Sequence, residues 1–386
     1  MSFALLALVC AVALVGPLLA STRRVRLPVV IGELGVGILL GATGLRWIDA
    51  TNPTFAFMGQ IGFALVMFIA GSHVPIRNAA LRQGLGRAAG RAALVGVMSV
   101  PAGFGIAALF DTGHGPLYAV LLASSSASLV LPALEGVPLT SVPALQLLAQ
   151  LAIADAACIV LLPLAIDPAH AGTAALGALA VLAAGALLFL VLTVLARRGR
   201  AERLHQYSER RALAMELRIT LLLLFSLAMV ASVSKVSVML AGFVAGLVVS
   251  AVGEHRRVQN QIFALSEGFF APLFFVWLGA SLNLRHLVEH PSAIVLGVAL
   301  GVAALAVHVL VGAVTKQPLS FAALTAAQLG VPVGAVALGT QAALFAPGEG
   351  SALLLGALIT IAGVSIVAPA AIRRLASATE GSARAS

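Results

Sequence analysis

The stretch LLAQLAIADAACIVLLPL, Leu147 to Leu164, puts one acid, Asp155, near the middle of an apolar run long enough to reach most of the way across a bilayer. An ionised carboxylate at that depth costs roughly 2.5–3.5 kcal/mol on the lenient insertion scale, so such a residue is read first as functional. The other three aspartates, Asp49, Asp111 and Asp167, fall at the ends of apolar runs. A carboxylate offers a hard monovalent cation the oxygen ligands it prefers, and the same group can take up a proton instead. Competition between the two for one carboxylate is the minimal chemistry of an exchanger. The plainer alternative is a structural aspartate bonded to neighbouring helices.

A cation would need further oxygens. LLASSSASLVLP supplies Ser124, Ser125 and Ser126, then Ser128 and Pro132, and QLGVPVGAVALG contains Gly330, Pro332 and Gly334. Proline removes a backbone donor and glycine weakens a helix, so both spans are expected to be interrupted. Unwound backbone survives at membrane depth only where protein or water satisfies it. Serines packing between helices are the alternative for the first stretch. His308, in AALAVHVLVGAV, lies deep in a span, either as a packing residue or as a group that titrates near neutral pH. Glu33 lies near the start of its span and could snorkel to the interface. Gln150 precedes Asp155 by five residues and so sits slightly off its face; Glu267 and Gln328 are weaker candidate ligands. No metal-ligand cluster, phosphate loop or Ser/His/Asp arrangement stands out, so neither an enzyme nor a cofactor is expected beyond the transported cation and protons.

These residues must be positioned by a membrane. Of 386 residues 61% are hydrophobic and 10% charged, too apolar for a water-soluble domain to bury. The formal charge of +9 does not indicate nucleic acid, because the basic residues lie in short clusters between apolar runs. Cys10 and Cys158 both sit in apolar runs, which argues against a disulfide framework. At about 20 residues per crossing, the chain reads as an all-α polytopic protein of about 13 spans. They lie near 3–20, 27–45, 54–73, 88–110, 116–134, 143–166, 171–196, 213–233, 236–252, 260–282, 291–315, 319–346 and 350–371. The first has no basic region before it and reads as a membrane helix and not a cleaved signal. With the amino terminus outside, nearly all arginines and lysines fall in cytoplasmic loops, and only Arg46, Lys235 and Arg285 fall on the other side. The carboxyl terminus is then inside, and a bacterial inner membrane is the expected location.

An internal repeat organises the spans. LVMFIAGSHVPIR, ending at Arg77, resembles LFFVWLGASLNLR, ending at Arg285, and pairs Gly71 with Gly279 at an offset of 208. VIGELGVGILLG resembles MLAGFVAGLVVS and pairs Gly37 with Gly246 at 209. The offset covers seven spans, an odd number, so the copies lie inverted, with the two interrupted spans crossing near the midplane. The expected organisation is a transmembrane domain over 1–376, with repeat one about 3–166, a linker helix at 171–196 and repeat two about 213–373. A short cytoplasmic tail at 377–386 follows. The polar stretch RRGRAERLHQYSERR, Arg197 to Arg211, reads as a cytoplasmic loop between the halves.

Over nearly its whole length the chain resembles the cation:proton antiporter-2 family of Kef-type potassium and Nap-type sodium exchangers. LPVVIGELGVGILLG resembles the family's glycine-spaced opening helix, and FIAGSHVPIR its Leu-Ala-Gly-Leu-Glu segment. SSSASLVLP resembles its Ser-Ser-Thr-Ala break, and FFAPLFFVWLGASLNL its Pro-x-Phe-Phe-x-x-x-Gly signature. The resemblance implies a 13-span inverted-repeat homodimer. The departures fall in the core: Ala154-Asp155 stands where the family has a paired Asp-Asp, Asn-Asp or Gln-Asp. His308 or Val309 stands where it often has lysine, and Pro332, Val333, Gly334 and Ala335 stand where it has Pro-Arg-Gly-Glu. The combined expectation is an electroneutral antiporter exchanging Na⁺ or K⁺ for H⁺ by alternating access, with Asp155 and Ser124 to Ser126 as ligands. Two alternatives stay open: a Na⁺- or H⁺-coupled transporter of an organic solute on the same fold, and a non-transporting membrane scaffold or sensor.

Overall fold

The computed structural model describes residues 1–20, 29–72, 81–127, 129–130, 134, 141–198, 214–234, 236–253, 256–282, 284–285 and 289–385, and its regular structure there is helical. Arg77, Ser128, Pro132 and most of the loop from Arg197 to Arg211 lie outside the described residues. The helices are α1 (Phe3–Ala13), α2 (Val15–Ala20), α3 (Val29–Leu40), α4 (Pro53–Ser72), α5 (Leu81–Phe110), α6 (Gly115–Ala123), α7 (Val142–Ile166) and α8 (Ala171–Arg197). The second half holds α9 (Met215–Val233), α10 (Val238–Val252), α11 (Arg256–Leu265), α12 (Ala271–Ser281), α13 (Pro291–Val314), α14 (Leu319–Leu324), α15 (Gly330–Gln341) and α16 (Glu349–Ala385). Eight rods among the described residues are long and apolar enough to cross a membrane. Shorter apolar helices, the pair α1–α2, α10 and α15, stand where further spans were expected, and the short helices α3, α6 and α14 fall within expected spans as well.

Three local features depart from the expected spans. The first rod is interrupted at Leu14. The tenth passes from α11 to α12 through a π-helical turn, Ser266–Phe270, of the kind that accommodates an extra residue in a helix. The last helix continues to Ala385, past the expected end of its span at 371.

The two repeats interlock through reciprocal crossings. Gly37 on α3 packs against Val276 and Gly279 on α12 so closely that a methyl group at either glycine would strike the other helix's backbone. Gly71 on α4 meets Phe243 on α10, and Gly246 on α10 meets Phe68 and Ser72 on α4, just as closely. By the offset read from the sequence Gly37 pairs with Gly246 and Gly71 with Gly279, so each crossing joins one glycine from each pair. Small residues let helix backbones approach in a membrane, where packing rather than the hydrophobic effect drives association. Further contacts tie this bundle together. Phe63 stacks on Phe274 with ring centroids 4.7 Å apart. Trp277 Nε1 donates to the Ala50 carbonyl at 3.1 Å, and Thr43 Oγ1 donates to Leu282 O at 2.7 Å while accepting from the Leu284 amide at 2.9 Å.

A second bundle packs beside it. In it α5 contacts α6, α7 and α13, while α16 contacts α13, α14 and α15. Contacts of α7 with α8 and α10 join the two bundles. Between them, at the end away from most arginines, lies a cavity of about 390 Å³ lined by Gln60, Phe63, Ser237, Phe274, Trp277 and Leu338 among others.

Candidate functional site

Asp155 stands midway along α7, a helix that starts after Ser141 with Pro143 in its first turn, where a missing N–H is harmless. The residue is 6% exposed. Its carboxylate accepts the backbone N–H of Ala127, where the chain resumes helical form after the first break. Among the described residues no basic side chain pairs with Asp155.

The first break is the serine run itself. Helix α6 ends at Ala123, and Ser124 adopts extended backbone, with its hydroxyl donating to Leu121 O at 2.8 Å. Ser125 donates to the Thr325 carbonyl, 2.6 Å away in the second broken span. The Ser126 carbonyl accepts from the amides of Leu129 and Val130, which begins the next turn. All three serines are buried. Because Ser124 and Ser125 spend their protons on carbonyls, their oxygen lone pairs are left to face other groups, the state a cation ligand requires.

The second break lies earlier than the sequence suggested. The chain leaves helical form over 325–329, and Gly330 begins α15. Gly330, Pro332 and Gly334 are therefore not the unwound backbone but the first turns of the returning helix. Proline is tolerated in a first turn, where its absent N–H has no helical partner. Gly334 serves packing: a methyl group there would lie 2.7 Å from Met239 Sδ. The unwound residues are Thr325, Ala326, Ala327, Gln328 and Leu329, and α16 supports them through Thr360 Oγ1, which accepts the Gln328 amide at 3.3 Å.

His308, on α13 and 2% exposed, joins the two breaks. Its Nε2 lies 3.2 Å from the Leu122 carbonyl and its Nδ1 2.8 Å from Thr325 Oγ1. Thr325 was missed from sequence, because a lone threonine beside two alanines carries no signal until the break places it. Gln150 is drawn elsewhere: its Oε1 accepts Gln317 Nε2 at 3.0 Å, linking α7 to the turn before α14. Glu33 is buried and does not snorkel, but α3 packs on α2 and α12, away from the breaks. The structure thus gathers Asp155, Ser124, Ser125, Ser126, His308 and Thr325, and leaves out Glu33 and Gln150. Among the described residues no group of three His, Cys, Asp or Glu could hold a metal ion.

A buried acid beside two interrupted, crossing spans is the core of a transporter fold, and comparison with known proteins agrees. The transmembrane sodium/hydrogen exchanger family matches residues 10–378. The chain belongs to the sodium/hydrogen exchanger family. This family and its fold are those of transporters and not of enzymes. Similar proteins include the putative Na(+)/H(+) antiporter YjbQ of Bacillus subtilis, 23% identical over 76% of the chain. The Na(+)/H(+)-K(+) antiporter GerN of Bacillus cereus is 23% identical over 69% of the chain and 68% of its own length. A Na(+)/H(+) antiporter of Enterococcus hirae is 25% identical over 69% of the chain and 70% of its own length. The chain spans about half the length of YjbQ. In fold, this exchanger-family member resembles the sodium proton antiporter MjNhaP1 of Methanocaldococcus jannaschii. The TM-score is 0.66 at 16% identity, covering 97% of each chain.

Proposed function

We infer that this family member is a secondary antiporter that exchanges Na⁺ or K⁺ for H⁺ by alternating access, with Asp155 as the shared ligand. The observation that carries the reading is Asp155 itself: buried on α7, bonded to the Ala127 amide, and without a basic partner among the described residues. A buried carboxylate with no counter-charge is costly unless a proton or a bound cation neutralises it. If only one can do so at a time, release of one is linked to uptake of the other. Ser124, Ser125 and Ser126, with carbonyls of the two breaks, supply the remaining oxygens. The relatives' names, each describing an antiporter of Na⁺ and H⁺, support the same reading. Family membership favours it over organic-solute transport and over a non-transporting scaffold.

The geometry supports a simple cycle. The glycine-locked bundle of α3, α4, α10 and α12 is the static half, and the bundle carrying the breaks moves against it. The cavity between Phe63, Trp277 and Leu338 is the approach from the end opposite most arginines. By the charge rule that end faces outward, with the amino terminus outside and the carboxyl terminus inside a bacterial inner membrane. Two copies form a homodimer in the lipid, and the cycle requires no resident cofactor. With one carboxylate and no lysine, one cation exchanges for one proton.

Proteoliposomes carrying the full chain and a pH-sensitive dye test the reading. Na⁺- or K⁺-driven proton flux is expected, and Asp155→Asn is expected to lower it at least 100-fold. Full flux in that variant would sink the mechanism.

A further inference from the structure

We propose that His308 is a positioning residue that staples the two broken spans together as its neutral Nε2–H tautomer, with Thr325 as its partner. The inference rests on the antiporter reading for its functional consequence, but its geometry stands apart from it. His308 lies on α13, an unbroken helix that passes both breaks, and it reaches each of them with a different ring nitrogen.

The tautomer follows from the partners. A carbonyl oxygen only accepts, so the contact of Nε2 with Leu122 O at 3.2 Å requires the hydrogen to be on Nε2. A neutral ring then has no hydrogen on Nδ1, so the Thr325 hydroxyl must donate to it across 2.8 Å. That hydroxyl has a competing acceptor, the Ala322 carbonyl at 2.7 Å. Beside the neutral ring the single Thr325 proton thus has two acceptors, Nδ1 and the Ala322 carbonyl, and can serve one of them at a time. Each contact falls at a helix end: Leu122 is in the last turn of α6, and Ala322 and Thr325 close α14. Helix ends leave carbonyls without intrahelical partners, and within a bilayer no bulk water replaces them. The bond from Ser125 to the Thr325 carbonyl closes the arrangement, so the serine that faces the site is held by the same residue that His308 holds. An aliphatic side chain in place of the imidazole could fill the space but would release Leu122 and Thr325 together.

A positioning residue and a proton carrier make different predictions. A glutamine in place of His308 would reach similarly, with an amide N–H for Leu122 and an oxygen near Thr325, but it does not titrate. In proteoliposomes we expect His308→Leu and Thr325→Val each to raise the apparent KM for Na⁺ or K⁺ about tenfold or more, with a smaller change in kcat. His308→Gln should recover most of that affinity and keep the wild-type pH profile. Hydrogen exchange by mass spectrometry supplies a readout that does not depend on transport. In His308→Leu, amides of 118–127 and 321–330 should both exchange faster, while those of α3 and α12 should not. Wild-type KM and exchange in folded His308→Leu or Thr325→Val would overturn the staple. So would a His308→Gln protein that is folded, protected from exchange and shifted in pH profile, since that would make His308 the titrating group. Absence of cation-driven flux in the wild-type protein, with the exchange pattern as expected, would count against the antiporter reading and leave the staple standing.

Discussion

Ser125 shows how little separates packing from function at a single residue. Its hydroxyl donates to Thr325 O, and removing it leaves a buried carbonyl unpaired at a cost of about 1–3 kcal/mol. Ser125→Ala should therefore weaken cation affinity by several-fold and lower the melting temperature slightly, both measurable in one preparation. Ser125→Ala with weakened stability and unchanged affinity would assign the serine to packing alone. Gln150 should behave in the opposite way. It bonds Gln317 and not the site, so Gln150→Leu is expected to affect stability and leave cation selectivity as it is. Asp155, Ser124, Ser125, Ser126 and His308 could be picked out from residue type and depth. Thr325 and Gln317 could not, because what makes them matter is a partner 200 and 167 residues away.

At the scale of elements, two kinds of contact set stability. The reciprocal glycine crossings leave no room for a methyl group, so Gly246→Ala should destabilise by about 1–3 kcal/mol through overpacking. Gly96→Ala on α5, where a methyl group would meet nothing within 4 Å, should be neutral or slightly stabilising. Thermal melts of the two variants side by side would check the contrast, and equal melts would argue against the crossings. The second contact joins the start of α6 to the start of α16. Glu349 is buried and accepts from His114 Nδ1 at 2.6 Å and from the Tyr118 hydroxyl at 2.7 Å. The bond to Glu349 raises the His114 pKa above its ordinary 6.5, with partial desolvation opposing. A raised histidine pKa stabilises fully below about pH 6.5, and the contribution is lost as pH rises through the folded value. Wild-type protein should therefore lose melting temperature on going above pH 6.5, and His114→Gln should lose less. The periodic glycines were legible as a repeat from sequence. The His114–Glu349 pair was not, since nothing in either local sequence names the other.

For the whole molecule, the reading predicts sidedness and stoichiometry. Ala342, exposed at the rim of the cavity, and Lys316, exposed among the basic loops, lie at opposite ends of α14–α15. With Cys10 and Cys158 replaced, an impermeant maleimide added outside should label Ala342→Cys and spare Lys316→Cys. The reverse pattern would invert the topology. Exchange of one cation for one proton moves no net charge, so flux should not change when a valinomycin-set membrane potential is imposed. Dependence on voltage would require a second charge in the cycle.

The lengths of the apolar runs, the charge asymmetry, the glycine spacing of the repeat and the place of Asp155 within an apolar run were all legible in the sequence alone. Each depends on hydrophobicity and charge summed along the chain, and a bilayer reads those directly. The place of the second break was not determined in that way. Glycine and proline at 330, 332 and 334 signal a weak helix, but either residue can also begin one, and only the packed neighbours decide. The tertiary structure put the opening at 325–329, where Ser125 and Thr360 bond to its backbone and His308 holds the Thr325 side chain. Backbone at membrane depth unwinds where partners exist to receive it, and those partners come from helices far away in sequence.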